Sequence, residues 1–188
     1  MLGLEGKVAL VFGVASEDSI AWSICQKLAQ AGCKLYLGYQ KRFMSRVFQL
    51  KDKLPQIQGF YPLDVSTDDA TAEFFTEFSK ENPNLKVDVM IHAIGFAPKE
   101  CFDRHILFVD NDAINTAITI SANSLQRVMR HAMPHLNNNS STINQLYSEK
   151  KQSRQSLLHR IGISKRQKEM TQSRLDLLMP EFEKITKP

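Results

Sequence analysis

The chain is poor in the residues that make for simple classification. Among its 188 residues are three cysteines, one tryptophan and eight glycines, and only Gly13 falls in the first candidate phosphate-binding loop. Cys25, Cys33 and Cys101 are odd in number and lack metal-ligand spacing, which excludes a disulfide framework and a cysteine-bound zinc. No run approaches the roughly 20 apolar residues of a membrane span. The opening Met1-Leu2-Gly3-Leu4-Glu5-Gly6-Lys7 has no apolar signal region, so a cytoplasmic location is the expectation. The net charge of +4 is too small to argue for nucleic acid. No HExxH pattern is present; His131 and His135, four apart, have no acidic ligand beside them in sequence, and no metal is expected.

The charge that exists is uneven. Residues 1–146 hold 14 Lys and Arg against 15 Asp and Glu, whereas residues 147–188 hold 10 against 5. That second segment has no Trp or Val, and Phe182 is its one Phe. Two compositions are therefore joined near Tyr147: a domain over 1–146 and a basic tail over 147–188. The tail reads as one or two polar helices or as disordered chain. Its Lys150, Lys151, Arg154, Arg160, Lys165, Arg166 and Lys168 read as a solvated face in preference to a site for an acidic partner.

Before the tail, apolar runs and helical periodicity alternate. Val8–Phe12 is a continuous apolar run ending at Gly13, the pattern of a strand covered on both faces. Ser19 or Asp18 caps a helix reaching Ala31, with Ile20, Ile24 and Leu28 on one face and Gly32 as its stop. Residues 35–39 form a second strand, and a helix is expected over about 43–53. Residues 60–65 form a third strand, whose Pro62 places it at a sheet edge. Ser66 or Thr67 caps the next helix, which carries Asp68 and Asp69 in its first turn and Phe74, Phe75 and Phe78 facing inward. Val87–Ala93 is a fourth strand, a helix covers about 111–134, and residues 141–143 are a weak fifth strand. This rhythm specifies an α/β fold: a doubly wound, Rossmann-like parallel sheet, truncated, with a basic helical or disordered C-terminal tail. His92, late in the fourth strand, is expected to be a hydrogen-bonded core histidine.

In such a sheet, ligands bind outside the carboxyl ends of the strands. Gly13 permits a tight turn beside a ligand, and the helix that follows offers free N–H groups to a pyrophosphate. With one glycine where a dinucleotide fingerprint has three, the loop taken alone suits an ordinary strand–helix turn equally well. Gln40 ends the second strand and can bond ribose hydroxyls, whereas Lys41 and Arg42 beside it can favour a 2′-phosphate. NAD and NADP therefore both remain open on chemistry. Asp64, at the third strand end, can accept from an adenine amino group or serve as a turn aspartate. Gly95, after Ile94, allows close approach of a ligand. Cys101 carries Lys99 and Arg104 nearby but is read as an unreactive thiol.

Taken together, Leu4-Glu5-Gly6-Lys7, Gly13-Val14-Ala15-Ser16, Ser19-Ile20-Ala21, Tyr39-Gln40, Asp64-Val65 and Ile94-Gly95-Phe96-Ala97-Pro98 resemble the NADH-dependent enoyl-acyl-carrier-protein reductases. These are a divergent branch of the short-chain dehydrogenases, and the resemblance runs to about residue 147. It implies that NADH is the cofactor. Gly13, Ser19 and Ile20 would line its pyrophosphate and nicotinamide side, Gln40 its adenosine ribose, Asp64 and Val65 its adenine, and Ile94 and Gly95 would flank the ribose and nicotinamide. Ala97 would touch the acyl group. The implied reaction is hydride transfer from NADH to the β-carbon of a trans-2-enoyl thioester carried on acyl carrier protein, within fatty acid biosynthesis. A homo-oligomer is implied as well.

The family pattern requires two tyrosines and a lysine after the fifth strand. Tyr147 is the last tyrosine in the chain. If it is the first of the pair, the second position holds Leu157 and the lysine position Ser164, with Lys165 one step late. If it is the second, the lysine position holds Arg154, whose planar head does not copy an ammonium. Tyr147 is thus the one candidate catalytic residue, and an impaired enzyme is expected. The alternatives are a non-catalytic NAD-binding or interaction protein, or a frameshifted fragment.

Overall fold

The computed structural model describes residues 3–144. The expected tail and Tyr147 lie outside the described residues. Among the described residues, 3–103 and 109–144 form one compact unit.

Five parallel strands form its sheet: β1 (Val8–Phe12), β2 (Lys34–Tyr39), β3 (Ile57–Pro62), β4 (Val87–His92) and β5 (Leu136–Asn144), in the order β3-β2-β1-β4-β5. The order reverses at β1: the chain builds outward to β3 and then returns to place β4 on the other side of β1. Val8–Phe12 is buried along its whole length, as its unbroken apolar run requires of a central strand covered on both faces. β3 is an edge strand, consistent with the missing N–H of Pro62.

Among the described residues, six α-helices accompany the sheet: α1 (Ile20–Gln30), α2 (Met44–Phe48), α3 (Asp68–Glu81), α4 (Glu100–Asp103), α5 (Asn111–Ile118) and α6 (Ser124–Ala132). Ser19 caps α1, its hydroxyl accepting from the Trp22 N–H at 3.3 Å, and Thr67 caps α3 through the Ala70 N–H at 3.2 Å. Two cores result, one on each side of the sheet. Ala9, Val11, Leu35 and Leu37 pack with Trp22 and Cys25 of α1 and Val47 of α2. Leu10, Phe12, Tyr36 and Met90 pack with Phe74, Phe75 and Phe78 of α3 and Val128 of α6. The Phe12 ring meets Phe74 edge-on at 5.4 Å, and Tyr36 meets Phe78 at 5.5 Å. Each such buried ring is worth about 1.5–3 kcal/mol over an exposed one.

Four elements differ from the sequence reading. The third strand covers Ile57–Pro62 where residues 60–65 were expected, so Asp64 and Val65 lie in the loop after it. The helix expected over 43–53 is broken into a 3₁₀ turn at Lys41–Phe43, one α turn at Met44–Phe48 and a second 3₁₀ turn at Lys51–Lys53. None of the three has a side-chain cap, and Leu54-Pro55 stops further propagation. The helix expected over 111–134 is continuous in course but contains a wide π-helical turn at Thr119–Asn123. β5 runs over nine residues where three were expected. Its Asn- and Ser-rich sequence has low strand propensity; β4 pairs with it at Val87–Leu136 and again from Val89–Ser141 to His92–Asn144, and the register shifts across the residues between.

Candidate functional site

The switch in strand order leaves an opening between the carboxyl ends of β1 and β4. Gly13 leaves β1 there with φ +97°, and a β-carbon on it would lie 2.0 Å from the Ala93 carbonyl oxygen. Only glycine tolerates both that backbone and that approach. Across the opening, a β-carbon on Gly95 would meet nothing within 4 Å, so the loop after β4 leaves free space on this side.

Two adjoining clefts fill the opening. The first, about 360 Å³, runs over the ends of β1, β2, β3 and β4; Gly13, Gln40, Asp64, Val65, Ile94 and Gly95 are in its wall. The second, about 750 Å³ and mainly apolar, lies toward α1 and α5; Ser19, Ile20, Ala97, Phe102 and Ile118 are in its wall. Gly13, Ile94 and Gly95 border both. The positions singled out in the sequence, Tyr147 excepted, therefore converge on one continuous crevice.

Local geometry shows what each position offers. The Ser19 hydroxyl donates to the Ser16 carbonyl at 2.7 Å while accepting from Trp22. This closes the loop and leaves the Ile20 and Ala21 N–H groups without helical acceptors. Asp64 Oδ1 accepts from the Ser66 N–H at 2.9 Å, so it makes the turn bond, and its exposed carboxylate also borders the first cleft. Gln40 is exposed at the end of β2. Arg42 stacks its guanidinium 4.7 Å from the Phe43 ring centre and 5.5 Å from that of Phe96. This cation–π bridge joins the β2 and β4 sides of the first cleft. A dinucleotide fits this set: a glycine turn, a capped helix start, polar groups at the ends of β2 and β3, and open space at Gly95.

His92, at the end of β4, is fully buried, with Nε2 2.9 Å from Ser124 Oγ and Nδ1 2.9 Å from Asn144 Oδ1. It is the hydrogen-bonded core histidine expected from sequence. Burial holds its basicity below the usual histidine value, against the bond to Asn144. Cys25 and Cys33 are buried packing groups, and burial pushes the Cys25 thiol up to about 12. His131 faces Asp68 at 3.2 Å, whereas His135 stacks on Phe75 at 5.6 Å. Among the described residues, no three His, Cys, Asp or Glu side chains are grouped to hold a metal ion. No helix among them is long and apolar enough to cross a membrane.

Sequence reading missed Ile120, Ser121 and Arg127, all at or beside this crevice. Their only signal was tertiary. Ser121 bonds the backbone of Phe96, 25 positions away, and Arg127 that of Val65, 62 away.

A parallel sheet of this order, with its crevice at the β1–β4 switch, defines a Rossmann-type α/β domain. The model of one family, enoyl-(acyl carrier protein) reductase, matches residues 13–174, and the chain belongs to that family. The match continues past Tyr147 into the basic segment. The chain is 36% identical over 152 residues to the NADH-dependent enoyl-acyl-carrier-protein reductase of Synechocystis sp., covering 78% of this chain and 57% of that protein. The Bacillus cereus enoyl-acyl-carrier-protein reductase, solved with NADP⁺ and an indole naphthyridinone, is 31% identical with a TM-score of 0.70, over 77% of this chain and 56% of that one. The Aquifex aeolicus NADH enzyme is 29% identical with a TM-score of 0.68, over 75% of this chain and 60% of that one. The chain thus spans little more than half the length of these relatives.

Proposed function

We propose that this chain binds NADH across the crevice and acts as an enoyl-thioester reductase of fatty acid biosynthesis. The observation that carries the reading is the convergence of Gly13, Ser19, Ile20, Gln40, Asp64, Val65, Ile94, Gly95 and Ala97 on one pair of adjoining clefts. The N–H groups at the start of α1 hold the pyrophosphate beside Gly13. Gln40 bonds the adenosine ribose, and Asp64 with Val65 holds the adenine. Ile94 and Gly95 let the nicotinamide half approach β4, Ser19 and Ile20 line the pyrophosphate and nicotinamide side, and Ala97 in the apolar cleft takes the acyl chain. NADH, when bound, supplies the hydride for the β-carbon of the enoyl thioester. The Tyr147 hydroxyl donates to the thioester oxygen as negative charge develops there. The substrate is delivered on acyl carrier protein, and the protein works in the cytoplasm as a homo-oligomer. Residues 1–146 form the NAD-binding domain, and residues 147–188 a basic tail.

The test is NADH oxidation with crotonyl thioester, run beside NADH fluorescence titration. Turnover above a heat-killed control supports the reductase. Saturable binding without turnover leaves a nucleotide-binding protein in its place, and no binding at millimolar NADH removes the dinucleotide reading.

A further inference from the structure

The run from α5 to α6 touches both walls of the crevice, and it does so from an irregular turn. An α-helix rotates about 100° per residue, so the wide turn at Thr119–Asn123 resets the direction in which α6 presents its side chains. Ser121 lies within that turn. Its hydroxyl accepts from the Phe96 N–H at 3.0 Å and donates to the Phe96 carbonyl at 2.9 Å. One side chain thus satisfies both backbone groups of the residue after Gly95. Six residues further on, Arg127 donates from Nε and Nη2 to the Val65 carbonyl at 3.0 and 2.6 Å. Its Nη2 also reaches the Thr119 carbonyl at 2.9 Å, tying the arm back to the start of the turn. Ile120, between Thr119 and Ser121, borders the first cleft.

From this geometry we infer that the π-helical turn braces the dinucleotide crevice, with Ser121 and Arg127 as its positioning residues. Ser121 sets the Ile94–Ala97 loop on the nicotinamide side. Arg127 sets the Asp64–Val65 loop on the adenine side. Arg127 is in neither cleft wall, and Ser121, which borders the apolar cleft, has its hydroxyl committed to Phe96. Arg127 acts through the main chain of Val65 and Ser121 through that of Phe96, which joins Gly95 to Ala97, and a charged donor shared between two carbonyls is among the stronger hydrogen bonds. The inference rests on the dinucleotide reading above.

The two arms separate in a binding experiment on the full chain, with NADH and AMP as probes. Ser121→Ala removes both Phe96 bonds and is expected to raise the NADH dissociation constant about fivefold or more. It should raise that for AMP less, and Ser121→Thr should restore NADH affinity. Arg127→Met keeps the aliphatic stem, removes the donors, and should weaken AMP and NADH together. Wild-type NADH affinity in Ser121→Ala, or equal loss of both ligands without rescue by threonine, overturns the brace. If Ser121→Ala shows no cooperative thermal transition, Arg127→Met decides, and unchanged AMP affinity there overturns it. No NADH binding by the wild-type chain overturns the dinucleotide reading itself, and the brace with it.

Discussion

Gly13 and Ala93 meet at the point where the sheet reverses its order: the carbonyl of Ala93 occupies the place that a side chain on residue 13 would need. The tight turn out of β1 and the close approach of β4 are one constraint. Gly13→Ala should therefore cost about 1–3 kcal/mol from overpacking, with left-handed backbone strain in addition. The expected result is a lowered thermal midpoint together with lost NADH affinity. A variant as stable as wild type would show that the β1–β4 opening relaxes without cost.

Asp88 joins three strands at the opposite end of the sheet. It accepts from the Val8 N–H at 2.9 Å, from Lys7 Nζ at 3.0 Å and from Asn137 Nδ2 at 2.8 Å. Burial alone would raise its carboxyl, but the bonds from Val8, Lys7 and Asn137 outweigh that and hold it below the usual aspartate value. A carboxyl lowered by folding contributes stability above its unfolded value, lost as pH falls through the folded one. Urea midpoints of wild type should fall on acidification below about pH 4. Asp88→Asn should be less stable at pH 7, and its deficit should shrink in acid. A deficit independent of pH would contradict the assignment.

His92 gives a second pH signature, in a different range. Its basicity is lowered by burial, so the unfolded chain binds the proton more readily. Stability from this group is present above the ordinary histidine value of about 6.5 and lost as pH falls from there through the folded value. Replacing His92 with Gln should remove that step from the urea midpoint while loosening β5, which Asn144 ties to the imidazole. Retention of the step in the variant would assign it to another group.

Gln40 and Arg42 predict the cofactor preference. An amide at residue 40 accepts ribose hydroxyls without repelling phosphate, and Arg42 is already stacked on Phe43 and Phe96. Gln40→Glu should lower NADPH affinity about tenfold by like-charge repulsion and change NADH affinity much less. Equal losses for both cofactors would remove residue 40 from the ribose site.

Tyr147 is tested by its hydroxyl alone. If it donates to the enolate oxygen, Tyr147→Phe should lower kcat on crotonyl thioester about 100-fold or more and leave NADH binding intact. Unchanged turnover would assign the oxygen to another donor.

The elements that were legible were those whose burial leaves a local pattern. The buried run of β1, the Ser19 and Thr67 caps and the Phe74, Phe75, Phe78 stripe are each readable within a few positions of the chain. The same holds for the crevice residues at strand ends, because an α/β sheet puts its ligand there whatever the sequence between. The broken α2 region and the long β5 were not legible. Competing short turns decided the first, and pairing with β4 at Leu136 and over Ser141–Asn144, on both sides of a register shift, decided the second.

The sequence by itself determined a parallel α/β domain, the Gly13 loop, the residues at the ends of β2, β3 and β4, and the family to which the chain belongs. Only the tertiary structure decided that these residues share one crevice and what holds its walls. The Gly13 approach to Ala93 and the Ser121 and Arg127 bonds join positions 25 to 80 apart in the chain. Contacts over such separations leave no periodicity to read, since they form only when the sheet order brings the strand ends together.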